Sequence, residues 1–471
     1  MRSFRVRRVL HIVILGIMVT LMFKMQIAAN YDVYAQQEEL PSRGYMTTPA
    51  ELVDIAQKAE QGIEPYASAV EDVLSIADEE WDFELHTFEK CEDSDSPEWL
   101  DNGGGVPILY ARALAYHLTG DESYAESVVE IIGDIISSVK TISISEQRCR
   151  LVFAWGIPEV IAAADLVAPQ LDEHRCTGPL ELAYGTTDMG SGSCRMLLQN
   201  WLAKNPYYII SLAAEEAQSN WGAAATNALA YIADYMWDRE EVVLIHRVPA
   251  FINNGVPLAL SPSQAYLRAN TLALARMNGY RVEYGSQFSC DFLSGDQQND
   301  DWEPVKSQIT ELGIIPEEAR REEYCNIPVY NDKYQNYPQL HIGNNIQQCE
   351  LMLRRGDSSC YDNIDMTAYP DFAFVDPDGK PQTAELKPGR GSLERAINAV
   401  IIDAGAEWRH DSALEVAYRY YFNNHRFEGV SLWYPELDRP SDCDQDICFG
   451  TLTHGFAPDE VPSLPPVTSP P

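Results

Sequence analysis

Apolar residues recur at three- and four-residue spacing through most of the chain, the pattern of amphipathic helices with one buried stripe. It begins at Ala50-Glu51-Leu52-Val53, after Thr47 and Thr48 as N-cap candidates, and predicts a second helix over 64–79. Further helices are expected over 107–118, 122–139, 151–167, 194–217, 220–237, 263–277, 337–355, 391–404 and 411–422. Turns such as Gly120-Asp121 and Gly356-Asp357 separate several of them. About eleven helices without βα alternation predict an all-α domain. The clearest strand-like stretch is 281–293, and no sequence repeat of fixed period is evident. Paired helices in this number leave two arrangements: a superhelical array, or a ring of helical hairpins whose open end forms a cleft. The low-helix stretch 281–336 is the candidate cleft wall or lid, because irregular segments of that length usually carry function.

The N-terminus departs from this pattern. Arg2, Arg5, Arg7 and Arg8 precede an apolar run from Val9 to Phe23, with Val33-Tyr34-Ala35 as a small-residue cleavage site. The run is short for a bilayer span, so 1–35 is expected to be a signal peptide, with a retained signal anchor as the alternative. A secreted or periplasmic location follows, with membrane contact only if the anchor is kept. Residues 36–47 are expected to be a linker and 48–456 the folded domain. The Pro- and Ser-rich 457–471 is expected to be a disordered tail. Ten cysteines in an exported chain predict disulfides, and Cys443 with Cys448, Cys176 with Cys194 and Cys349 with Cys360 are the local candidates.

Charge narrows the function. There are 71 Asp and Glu against 34 Lys and Arg, a net charge of −37 over 471 residues. Loss of 1–35 would remove five basic residues and one acidic residue, leaving 70 acidic against 29 basic, or −41. Nucleic-acid binding needs a basic footprint that this chain lacks. Hydrophobic content of 45% excludes a disordered chain.

Three stretches could carry chemistry. Tyr110 to Ala125 reads as a helix, a turn and a second helix, with His117 as a residue of the helix face. Ser219-Asn220-Trp221 opens the helix 220–237; Ser219 or Asn220 can cap it, and an Asn there can also present its amide to an anion. Pro316 to Tyr324 places Arg320 and Arg321 ahead of Tyr330, Tyr334 and Tyr337, and Pro338 suits the first turn of a helix with His341 one turn in. An Arg-Glu salt-bridged turn packed on tyrosines explains the same composition.

These stretches, with Phe153-Ala154-Trp155-Gly156-Ile157-Pro158 leading into Ala162 to Leu166, occur in the order found in the alginate lyase-like polysaccharide lyases, which the chain resembles over roughly 50–425. The resemblance implies an (α/α) toroid, incomplete or closed, and cleavage of a uronic-acid-containing polysaccharide by β-elimination, with no metal or other cofactor. It implies that Asn220 and Arg320 or Arg321 neutralise the substrate carboxylate, that His341 or Tyr337 takes the C5 proton, and that a tyrosine protonates the leaving oxygen. Tyr324, Tyr330 and Tyr334 compete with Tyr337 for the tyrosine role. Trp155 and Trp221 are candidates to stack on sugar rings or to pack in the core, and Tyr324 is a further substrate contact. One departure bears on substrate: alginate-cleaving relatives place His directly after the neutralising Asn, where this chain has Trp221. An acidic-glycan hydrolase with two carboxyl groups about the bond, and a non-catalytic glycan binder on the same scaffold, are the alternatives.

Overall fold

In a computed structural model of the chain, the described residues are 42–91, 97–100, 104–178, 190–217, 219–277, 337–362, 372–375, 381–384, 392–403, 407–423, 433–434, 437–441, 443 and 447–468. The proposed signal segment 1–35, the strand-like 281–293 and the lid candidate 281–336 lie outside them. The helices are α1 Pro49–Glu60, α2 Tyr66–Ala77, α3 Gly105–Thr119, α4 Glu122–Ser138, α5 Gln147–Leu166, α6 Ala168–Glu173, α7 Cys194–Lys204, α8 Pro206–Glu216 and α9 Asn220–Tyr235. They continue with α10 Pro262–Met277, α11 Tyr337–Arg354, α12 Ser359–Asp362, α13 Leu393–Asn398, α14 Asp411–Asn423 and α15 Gly450–His454. Three two-stranded antiparallel ribbons decorate them: β1 Arg175–Thr177 with β2 Ser191–Ser193, β3 Leu244–His246 with β4 Leu258–Leu260, and β5 Phe372–Val375 with β6 Pro381–Ala384.

Burial sorts the helices into two layers. In α4 the buried positions form one stripe (Ala125, Val128, Val129, Ile131, Ile132, Ile135, Ile136), and Glu126, Glu130 and Asp134 lie off it. In α5 every residue from Leu151 to Leu166 except Trp155 is buried, and in α9 every residue from Gly222 to Tyr235. A helix buried on all sides belongs inside. The inner helices pack in the chain order α3, α5, α9, α11, α14, with α2, α4, α8, α10 and α13 outside them as the other arms of hairpins. The row closes because α15 packs on α14 and reaches α2, while α1 and α2 lie on α3. The domain is an (α/α) toroid, as expected.

The inner helices run parallel. Asn227 on α9 donates to Gln347 on α11, and eight residues further Arg355 donates to Asp234 (2.9 Å), so the two helices advance together. Gln347 donates in turn to Glu159 on α5 (2.6 Å). His117 at the end of α3 meets Leu166 O at the end of α5 (2.8 Å), which makes it the helix-face residue expected. Gln339 at the start of α11 bonds Glu407 O (2.9 Å) and Arg409 N (2.7 Å), just before α14. All five inner N-termini therefore lie at one end of the ring.

Two expectations are corrected. Residues 42–47, expected to belong to a linker, are largely buried: Arg43 bonds Asp234 and its backbone N–H donates to Asp165 (2.8 Å), which ties the carboxyl ends of α5 and α9 together. The Pro-rich end, expected to be disordered, runs through 457–468 against the helices. Thr468 N–H donates to Arg354 O (2.8 Å), Arg419 to Ser463 O (3.0 Å), and Glu460 accepts from Lys58 (2.8 Å). The orphan carbonyls of a helix end need donors, and an extended segment with no periodicity of its own can supply them. The three local disulfides are formed, together with Cys91–Cys149. Cys290 and Cys325 lie outside the described residues.

Candidate functional site at the amino ends of the inner helices

Ser219, not Asn220, caps α9: its hydroxyl accepts from Trp221 N (3.4 Å), which leaves Asn220 as the first helical residue, fully buried. Helix geometry fixes where it faces. Asn220 lies two turns before Asn227, on the stripe that meets α11, and the α9–α11 register puts it level with Leu340. His341 lies two turns before Gln348, whose amide donates to Asn270 on α10 (2.9 Å). Both residues thus belong to the corner between α9, α10 and α11. His341 is 1% exposed, while Tyr337, one turn earlier at the mouth of α11, is half-buried. Trp155 and Trp221 are half-buried and pack on the hydrophobic core. Arg320, Arg321 and Tyr324, with Tyr330 and Tyr334, lie outside the described residues.

Sequence reasoning missed Arg276. It ends α10, is fully buried, and donates to Ala217 O (3.1 Å), to Ala214 O and to Thr226 Oγ1 (3.3 Å), so it clamps the α8–α9 turn that presents Asn220. Burial pulls its pKa down to about 10, with only a partial offset from Glu215. A Cβ on Gly222 would meet Ala217 O at 2.0 Å and the Arg276 Nη2 at 2.9 Å, so the glycine is what lets the clamp close. The signal in sequence was slight: one arginine late in a helix.

A second cluster was also missed. His246 on β3 donates through Nε2 to Glu215 Oε1 (2.7 Å) and accepts at Nδ1 from the Tyr207 hydroxyl (2.9 Å), while Arg268 Nε donates to the same Glu215 oxygen (2.5 Å). Burial pushes Glu215 upward, but Arg268 and His246 overcome this and hold it below the usual carboxylate range. Burial lowers the pKa of His246 against the pull of Glu215. His246 and Glu215 are fully buried, and this relay braces β3 against α8.

Charge divides between the two ends. At the carboxyl ends of the inner helices Arg43, Arg195, Arg354 and Arg355 are in ion pairs with Asp234, Asp172, Asp238, Glu51 and Glu350. At the amino ends Arg148, Arg150, Arg247, Arg276 and Arg409 have no carboxylate within 4.0 Å among the described residues; Arg268 is the exception. In a chain with twice as many acids as bases, arginines left without acids stand out. The positive ends of five helix dipoles point the same way. A cavity of ≈ 290 Å³ lies elsewhere, between α1, α15 and the tail, lined among others by Lys58, Tyr66, Arg419 and Glu460, and it contains none of the predicted site residues. Among the described residues no three His, Cys, Asp or Glu side chains converge as metal ligands would, and no helix is long and apolar enough to cross a membrane.

No protein-family model and no curated protein matches the chain. Among solved structures, a crystal structure of an alginate lyase from Bacteroides ovatus is similar to it, with 12% identity, a TM-score of 0.48, and coverage of 84% of this chain and 96% of that one.

Proposed function

We propose that the protein is an exported polysaccharide lyase that cleaves a uronic-acid-containing polysaccharide by metal-independent β-elimination. The observation that carries this reading is the amino end of the ring, where the buried Asn220 amide, parallel helix dipoles and arginines that meet no carboxylate among the described residues favour negative charge. Four disulfides fit folding in an oxidising compartment, consistent with export.

In the reaction a base removes the proton at C5, the electron pair forms the C4=C5 double bond, and the C4–O bond breaks with a proton delivered to the leaving oxygen. The carboxylate beside C5 gathers charge in the transition state, so donors aimed at it strengthen as the reaction proceeds. Asn220 and Arg320 or Arg321 take that role. Tyr337 and His341 share the proton transfers; Tyr337 is half-buried and His341 1% exposed, which supports Tyr337 as the one that meets substrate. Trp155, Trp221 and Tyr324 would contact sugar rings. The burial of His341 also favours the second reading, a non-catalytic binder of acidic glycans.

The test is ultraviolet absorbance of the unsaturated uronide when the purified chain is offered glucuronan, alginate and related polyuronates. Asn220→Ala, His341→Ala and Tyr337→Phe should each lower the rate about a hundredfold or more with the fold intact by circular dichroism. Reducing ends without absorbance would mean hydrolysis, and binding with neither signal would mean the glycan binder. Undiminished rates in all three variants would overturn the site.

A further inference from the structure

We propose that residues 457–468 are a latch that closes the seam of the ring and lifts as one unit before the helices unfold.

The seam is where the last helices meet the first: α15 packs on α14 and reaches α2, while α1 and α2 lie on α3. The terminal segment crosses it and is fixed at three places. Glu460 accepts from Lys58 on α1 (2.8 Å) and from the Tyr66 hydroxyl on α2 (2.6 Å). Ser463 O accepts from Nε and Nη2 of Arg419 on α14 (both 3.0 Å). Thr468 closes off α11: its N–H (2.8 Å) and its hydroxyl (3.1 Å) both donate to Arg354 O, and its Oγ1 accepts from Arg355. The turn after α11 satisfies Leu353 O and Met352 O through the N–H groups of Gly356 and Asp357 (both 2.9 Å), while Arg354 O takes its donors from the latch.

Between these anchors the hold is light. Burial recurs every third residue, at Pro462, Pro465 and the half-buried Thr468, while Val461, Leu464 and Val467 are exposed. Three residues per turn is the repeat of a polyproline helix, which has no internal hydrogen bonds, and Pro462, Pro465 and Pro466 bring no N–H to the helices beneath. The ≈ 290 Å³ cavity lies between Pro462, Leu464 and Pro466 on one side and Ile55 and Leu452 on the other, so part of the segment bridges space instead of packing on the core. Few buried apolar contacts and few hydrogen bonds put a segment at the low-stability end of a fold. The same proline-rich backbone is stiff over several residues, so an anchor lost at Glu460 is felt at Thr468, eight positions on. That stiffness joins three separate contacts into one latch.

Hydrogen exchange of the full chain, read by mass spectrometry and corrected for intrinsic rates, tests this. The Thr468 amide is the reporter, because its bond to Arg354 O breaks when the latch lifts. In the wild type the terminal peptide that carries it should exchange at least about a hundredfold faster than peptides of the buried helix α9. Glu460→Gln and Lys58→Met break the same anchor from its two sides, and each should speed exchange at Thr468 about tenfold while leaving α9 unchanged. Exchange at Thr468 as slow as in α9 would overturn the latch, since the segment would then leave only on global unfolding. Exchange at Thr468 indifferent to both substitutions would overturn it too, since the anchors would then open independently. The readout needs no turnover, so the latch and the lyase reading stand or fall separately.

Discussion

At Gly222 a single missing carbon decides the local structure. The Arg276 guanidinium and Ala217 O occupy the space a side chain would take, so Gly222→Ala must displace either the clamp or the turn. Overpacking of this kind costs about 1–3 kcal/mol, to be read as a lower urea midpoint at unchanged m-value. Because the same turn carries Asn220, activity should fall further than stability alone explains; a variant as stable and active as the wild type would refute the clamp. Asn220, Tyr337 and His341 are candidates that the sequence offers because they sit in short ordered motifs. Arg276 was not, since its partners Ala214 and Ala217 are about sixty residues away. The same holds for His246, whose meaning comes from Glu215 on another element.

The longer helices were legible to within a few residues, because apolar periodicity and capping residues act over one or two turns, whereas the short α6, α12 and α15 carry too few turns to show a period. The stretch 194–217 reads as one helix but is two, α7 and α8, since Asn205 takes a non-helical conformation before Pro206. Inner helices could not be told from outer ones with the same ease. Helix α11 is buried from Pro338 to Arg354 yet carries Gln339, His341, Asn344, Asn345, Gln347 and Gln348, which a reading by polarity alone would leave at the surface. Such groups are stable inside only when partnered, and here Asn227, Glu159 and Asn270 on neighbouring helices serve. Among the links between elements, Cys91–Cys149 joins the segment after α2 to the first turn of α5 across 58 residues. A closed loop of that length implies about 4 kcal/mol of stabilisation, so Cys91→Ser/Cys149→Ser should unfold at clearly lower denaturant, and an unchanged midpoint would count against that link.

On the scale of the whole molecule, acid should attack the buried ion pairs, most of which lie at the carboxyl end of the ring. Burial pushes Asp234 upward, but Arg355 and Arg43 more than compensate and hold it below the usual carboxylate range. Glu350 is pushed up by burial and pulled down by His454 and Arg354, to about 2. Both acids bind protons more readily when unfolded, so their contribution is present above the unfolded pKa values and is lost as the pH falls through about 4.5 toward 2. Asp165 and Glu415, raised by burial, offset part of this. The thermal midpoint should drop steeply across that window, and Glu350→Gln should flatten the drop; a midpoint constant from pH 6 to pH 3 would refute the account.

The net charge of −37 excluded nucleic acid from the start, but it did not say where the few cations would gather. By itself the sequence determined the all-α class and the position of the described helices other than the short α6, α12 and α15, and it offered three of the disulfide pairs as candidates, because each depends on residues close together in the chain. Only the tertiary structure decided that the inner helices run parallel, that arginines at their carboxyl ends are ion-paired, and that among the described residues Arg150, Arg247 and Arg276 at the other end meet no carboxylate. Those facts depend on residues tens to hundreds of positions apart, which meet only when the ring closes and carry no signature in any local stretch of sequence.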